Sequence, residues 1–66
     1  MNKDTLVNKL GRIDDTIWNE APRVQAQEWE DFSENILDSH SCWDELDIDE
    51  LYEAVERGQF IISTFK

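Results

Sequence analysis

The chain reads as a small all-α domain, a three-helix bundle over about 3–19, 22–38 and 48–57 with a short apolar tail, extended or helical, behind it. Three observations point there. Apolar residues recur at helical spacing in three separate stretches, helix-breaking or capping residues fall between those stretches, and 66 residues leave room for one domain, 1–66, with a single modest core.

In the first stretch Leu6, Leu10, Ile13 and Ile17 are spaced four, three and four apart, with Val7 and Trp18 at the edges of the stripe. Gly11 interrupts this helix at a cost of about 1 kcal/mol relative to alanine, which calls either for a closely approaching partner helix or for nothing more than a suboptimal residue. Pro22 cannot continue a helix but suits the first turn of a new one, so Glu20 and Ala21 form the joint. The second stripe runs through Ala26, Trp29, Phe32, Ser33, Ile36 and Leu37.

Ser39-His40-Ser41 is a connector, and Ser41 is placed to cap a short turn through Cys42, Trp43, Asp44 and Glu45. The clearest local signal follows. Asp47 and Glu50 form an Asp-x-x-Glu capping box, with Leu46 and Leu51 at the two staple positions around it. Ile48, Leu51, Tyr52 and Val55 are then expected on the buried face, Arg57 in the last turn, and Gly58 as a left-handed stop. Beyond it, Phe60-Ile61-Ile62-Ser63-Thr64-Phe65 is β-branched and aromatic, which favours an extended segment packed across the helices over a helical continuation or pairing with another chain.

Composition excludes several classes of function. A domain of this size buries only about 60% of its unfolded surface, so no large enzyme cleft fits inside it. Cys42 and His40, two residues apart in a polyanionic stretch, are the one conceivable nucleophile and base, and neither a Gly-rich phosphate loop nor a Gly-x-Ser-x-Gly elbow accompanies them, so no catalysis is expected. With one cysteine no internal disulfide can form, and no apolar run reaches signal-peptide or membrane-span length, so the expected location is cytoplasmic. Asp44 to Glu50 is rich in oxygen ligands but lacks the Gly-centred spacing of a calcium loop, and His40 with Cys42 falls short of a zinc set; neither a metal nor any other cofactor is expected.

The strongest functional signal is charge. Glu28, Glu30, Asp31, Glu34, Asp38, Asp44, Glu45, Asp47, Asp49, Glu50, Glu53 and Glu56 all fall between Val24 and Glu56, where Lys and Arg are absent, and the formal charge of the whole chain is -10. Glu30, Glu34 and Asp38 are spaced to form one row, and Asp49, Glu53 and Glu56 another, with Asp31 alongside the first. Like charges at these spacings cost a helix a few tenths of a kcal/mol per pair, roughly 0.2–0.5, so stability alone does not select them. Stability is therefore expected to rise with added salt or mild acid; a melting temperature that falls steadily with salt would contradict the clustering.

Such a surface is repelled by nucleic acid and by anionic membranes, which leaves a basic protein as the partner, most naturally one that binds nucleic acid. In size and charge the chain resembles the small acidic DNA-mimic proteins encoded by phages and mobile elements, a resemblance that rests on no motif. It implies a non-catalytic inhibitor whose partner-binding residues are Glu30, Asp31, Glu34, Asp38, Asp44, Glu45, Asp49, Glu53 and Glu56, with Trp43 as an apolar anchor. Trp43 alternatively plugs the open end of the core. The alternative function is a structural or regulatory adaptor that binds through Phe60, Ile62 and Phe65, its acids serving only solubility, and dimerisation through that tail or the first helix is a further expectation of so small a core.

Overall fold

The computed structural model describes residues 2–38 and 42–66; the expected roles of His40 and Ser41 lie outside that set. Three helices, α1 (Lys3–Glu20), α2 (Arg23–Leu37) and α3 (Ile48–Phe65), are joined by a tight corner at Ala21-Pro22 and by a longer segment that includes a 3-10 turn, Trp43–Glu45. The all-α bundle is as the periodicity required.

Helix α1 starts where Asn2, in extended conformation, accepts the Thr5 backbone N–H at 2.9 Å and the Thr5 hydroxyl at 2.8 Å through the same Oδ1 atom. Its stripe is buried as expected, with Leu6, Leu10 and Ile17 fully inaccessible and Ile13 nearly so. Gly11 faces solvent, and nothing lies within 4 Å of where a Cβ would stand. No helix approaches there, so Gly11→Ala is expected to raise stability by about 0.4–1 kcal/mol, read as a higher midpoint in thermal circular dichroism.

Pro22 sits at the N-cap of α2 rather than inside its first turn, its carbonyl accepting the Ala26 N–H at 3.0 Å. Asp38 ends the helix with φ 48° and ψ -112°, a conformation costly for a side chain with a Cβ, so the second helix stops one residue short of its expected end. The capping signal before α3 is present. Asp47 is the N-cap, Glu50 Oε1 accepts its N–H at 3.3 Å, and Leu46 and Leu51 on either side are both fully buried.

The largest departure from expectation lies downstream. Gly58 is not a stop: it is buried within α3, its φ is negative, and the helix continues to Phe65. A Cβ on Gly58 would overlap Ile13 Cγ2 and stand 3.2 and 3.3 Å from the Trp29 ring, so glycine is present for close packing of three helices rather than for a left-handed turn. The tail is accordingly helical, not extended. Ile61 is buried and Ile62 and Phe65 pack partly against the core, a gain that outweighs the local preference for strand. Ser63 and Thr64 donate their hydroxyls to the carbonyls of Phe60 and Ile61, each at 2.6 Å, which accommodates both within the helix.

That continuation shifts the buried face of α3 to Leu51, Ala54, Val55, Gly58 and Ile61. Ile48 and Tyr52, expected inside, are instead 41% and 40% exposed. Ile13 lies against Gly58 and Lys66 Nζ pairs with Glu20 Oε1 at 3.0 Å, so α1 and α3 run parallel, with α2 returning between them in sequence. Trp29 is the fully buried centre contributed by α2. Its indole N–H donates to Asp14 Oδ1 at 2.8 Å, the same oxygen that accepts the Trp18 indole at 3.1 Å.

Candidate functional site

Helical geometry decides which carboxylates share a surface. On α3 the buried residues occupy one side, and Asp49, Glu53, Glu56 and Phe60, at i, i+4, i+7 and i+11, occupy the opposite one, all exposed. Asp49, Glu50, Glu53 and Glu56 put four carboxylates on about 10 Å of helix axis, against about six phosphate charges on the same length of duplex DNA. This is a dense anionic edge. Asp49 and Glu50 belong to the first turn, where negative charge complements the helix N-terminus. Glu53 and Glu56 lie beyond that turn and derive no such benefit.

Arg57 is the first basic residue after the anionic stretch, and at i+4 from Glu53 it is well spaced to neutralise that carboxylate. It is turned elsewhere. Its guanidinium lies over the Phe32 ring of α2, 5.2 Å from the centroid, and among the described residues the one ion pair is Lys66–Glu20. Glu53, Glu56, Arg57 and Phe60 together line a shallow hollow on the outside of α3.

The α2 acids are arranged differently. Phe32, under Arg57, marks the flank of α2 that meets α3, and Glu30 and Glu34 lie on the other flank of Trp29. Glu30 is half-buried, Glu34 and Asp31 are exposed, and Asp38 has left the helical register, so the expected row of three is a pair followed by a displaced third. Asp31 also accepts from the Gln27 side-chain amide at 3.0 Å. The two rows do not form one plane, and the coherent edge is that of α3.

Asp44 and Glu45 are exposed on the 3-10 turn, with Glu45 Oε2 accepting the Cys42 N–H at 3.0 Å. Trp43 does not stand free as an anchor. It is half-buried and stacked on Trp29, with centroids 5.8 Å apart and planes inclined by 28°, so it closes the core as the alternative reading had it. Of the tail residues, Ile62 and Phe65 are turned partly inward while Phe60 is 63% exposed. Phe60 is thus the exposed ring at the end of the Asp49, Glu53 and Glu56 row, whereas Trp43, beside Asp44 and Glu45, is half-buried. Its spacing from Glu53 and Glu56 was available in the sequence, but only to a reading that carried the helix through Gly58.

Among the described residues no group of three or more His, Cys, Asp or Glu converges in a way that could hold a metal ion, and no helix is long and apolar enough to cross a membrane. The molecule is thus a three-helix bundle with a carboxylate edge on the exposed side of its last helix. No protein-family model, curated protein or solved structure matches the chain.

Proposed function

We propose that the protein is a non-catalytic, acidic binding protein of the cytoplasm that presents the outer edge of α3, supplemented by the acids of α2, to the basic nucleic-acid-binding surface of another protein. It acts there as an inhibitor by occupying positions that phosphates would take, in the manner of the acidic DNA mimics of phages and mobile elements. The observation that carries this reading is the run Asp49, Glu53 and Glu56, exposed on one helix face while Arg57, the cation best placed to neutralise it, is engaged on Phe32.

The reading is tested by charge without shape. Replacing Asp49, Glu53 and Glu56 with Asn or Gln, and Glu30, Asp31 and Glu34 likewise in a second variant, should leave the fold intact, the repulsion relieved along each row offsetting the favourable charge that Asp49 places at the α3 N-terminus. Partner proteins recovered at low salt are expected to be displaced by duplex DNA. With exposed ion pairs worth about 0.5 kcal/mol each, both sets of replacements together should weaken binding on the order of a hundredfold, the α3 set contributing more. Unchanged affinity in the combined variant would remove the reading.

A second reading, an adaptor that binds through its C-terminal apolar residues, is favoured by the exposure of Phe60 alone. It predicts salt-resistant binding that Phe60→Ala abolishes and charge removal does not.

A further inference from the structure

Phe60 is a phenyl ring left 63% in water on a helix where the neighbouring Ile61 is fully buried, and its neighbours one and two turns back on the same face are Glu56 and Glu53. A single exposed apolar side chain needs no explanation by itself. This one borders a hollow whose other walls are two carboxylates and Arg57, and the local cation is already held on a different ring. A partner residue that suits this place must be cationic, to meet Glu53 and Glu56, and must offer a flat, weakly hydrated surface to lie against the ring.

Arginine meets both conditions and lysine only the first. The guanidinium is planar, stacks on aromatic faces and donates through a fixed fork to carboxylates, whereas the ammonium is compact and strongly hydrated. Arg57 over Phe32 shows that pairing inside the same molecule. Resting on the reading of α3 as a surface for a basic partner, we infer that the hollow receives an arginine side chain of that partner, its guanidinium lying on Phe60 and hydrogen-bonded by Glu53 and Glu56. The protein is then selective for arginine-bearing segments rather than a general sink for cations.

The experiment titrates two synthetic peptides of equal length and charge, one with arginine and the other with lysine at the same positions, into the isotope-labelled full chain at low salt, followed by NMR. The arginine peptide is expected to bind about fivefold more tightly, with shifts concentrated between Asp49 and Phe60. Phe60→Ala, at an exposed site that leaves the core intact, should bring the two affinities together, and Phe60→Leu should do the same because it restores apolar bulk without the ring face. Glu53→Gln with Glu56→Gln should weaken both peptides.

Equal affinities for the wild-type chain, or a preference that survives Phe60→Ala, would overturn the arginine site while leaving the acidic docking surface standing if binding remains salt-sensitive and the Gln variant still loses it. If neither peptide binds, the arginine site and the acidic docking surface are both overturned. Concentration-dependent shifts of the same residues without peptide would assign the face to a second copy of the chain and overturn the inference as well.

Discussion

Trp29→Ala is expected to remove about a third or more of the folding free energy of the chain, read as a large fall in the urea midpoint. The indole is fully buried, it stacks on Phe32 and Trp43 at centroid distances of 5.6 and 5.8 Å, and its far edge lies 3.2 and 3.3 Å from where a Cβ on Gly58 would stand. Truncating so large a core residue costs about 3–5 kcal/mol. At about 0.05–0.15 kcal/mol per residue the whole chain has only about 3–10 kcal/mol to lose.

The N–H of that indole can be separated from its bulk. Asp14→Ala leaves the Trp29 donor in the core without an acceptor and should cost about 1–3 kcal/mol, while Asp14→Asn keeps an acceptor oxygen and should cost less. Trp29→Phe removes the donor and retains most of the ring. In a double-mutant cycle Asp14→Ala should therefore be cheaper in the Trp29→Phe background than in the wild type. Urea midpoints followed by circular dichroism measure all four proteins, and an Asp14→Ala midpoint equal to that of the wild type would show that the bond does not support the core.

Gly58→Ala is the second large effect, and its sign is opposite to that of Gly11→Ala. Both substitutions gain about 1 kcal/mol of helix propensity. At Gly11 the new methyl meets open space, whereas at Gly58 it overlaps Ile13 Cγ2 and crowds the Trp29 ring, an overpacking cost of about 1–3 kcal/mol. A net loss of up to about 2 kcal/mol is expected, with Gly58→Val too bulky for a stable fold.

Ile13 tests the cause. Ile13→Ala removes the obstructing atom, so it should cost less in the Gly58→Ala background than alone, while Ile13→Val, which retains Cγ2, should give no such relief. Thermal midpoints resolve these differences at about 4–8 °C per kcal/mol for a domain of this size. If Gly58→Ala proved as stabilising as Gly11→Ala, the close packing of α1, α2 and α3 at this point would be wrong.

The legibility of the molecule divides along the same line. Leu6, Leu10, Ile13 and Ile17 announce α1 because helical period is written in neighbouring residues, and Asp47 with Glu50 announces the start of α3 because a cap is closed within one turn. Gly58 is ambiguous because a glycine after Arg57 looks the same locally whether it ends a helix or admits another one. The strand-like residues from Phe60 to Phe65 add to that ambiguity. Their helical state depends on burial in the shared core, which propensity does not register.

The candidate site shows a similar division. The concentration of acids between Glu28 and Glu56 is a property of the chain, and the outward direction of Asp49, Glu53 and Glu56 follows from their spacing once α3 is granted. That Glu30 and Glu34 lie on the flank of α2 away from α3, that Trp43 is drawn onto Trp29, and that Arg57 rests on Phe32 follow from contacts between helices far apart in sequence.

The sequence by itself determined that this protein is three helices with an apolar stripe on each and an anionic second half, because period, caps and charge act over a few residues. Only the tertiary structure decided that Gly58 is a contact and not an end, that Asp14 serves two indoles, and that Phe60 stands exposed beside Glu53 and Glu56. Each of those depends on which side chain arrives from another helix, and shape complementarity across a core leaves no local pattern to read.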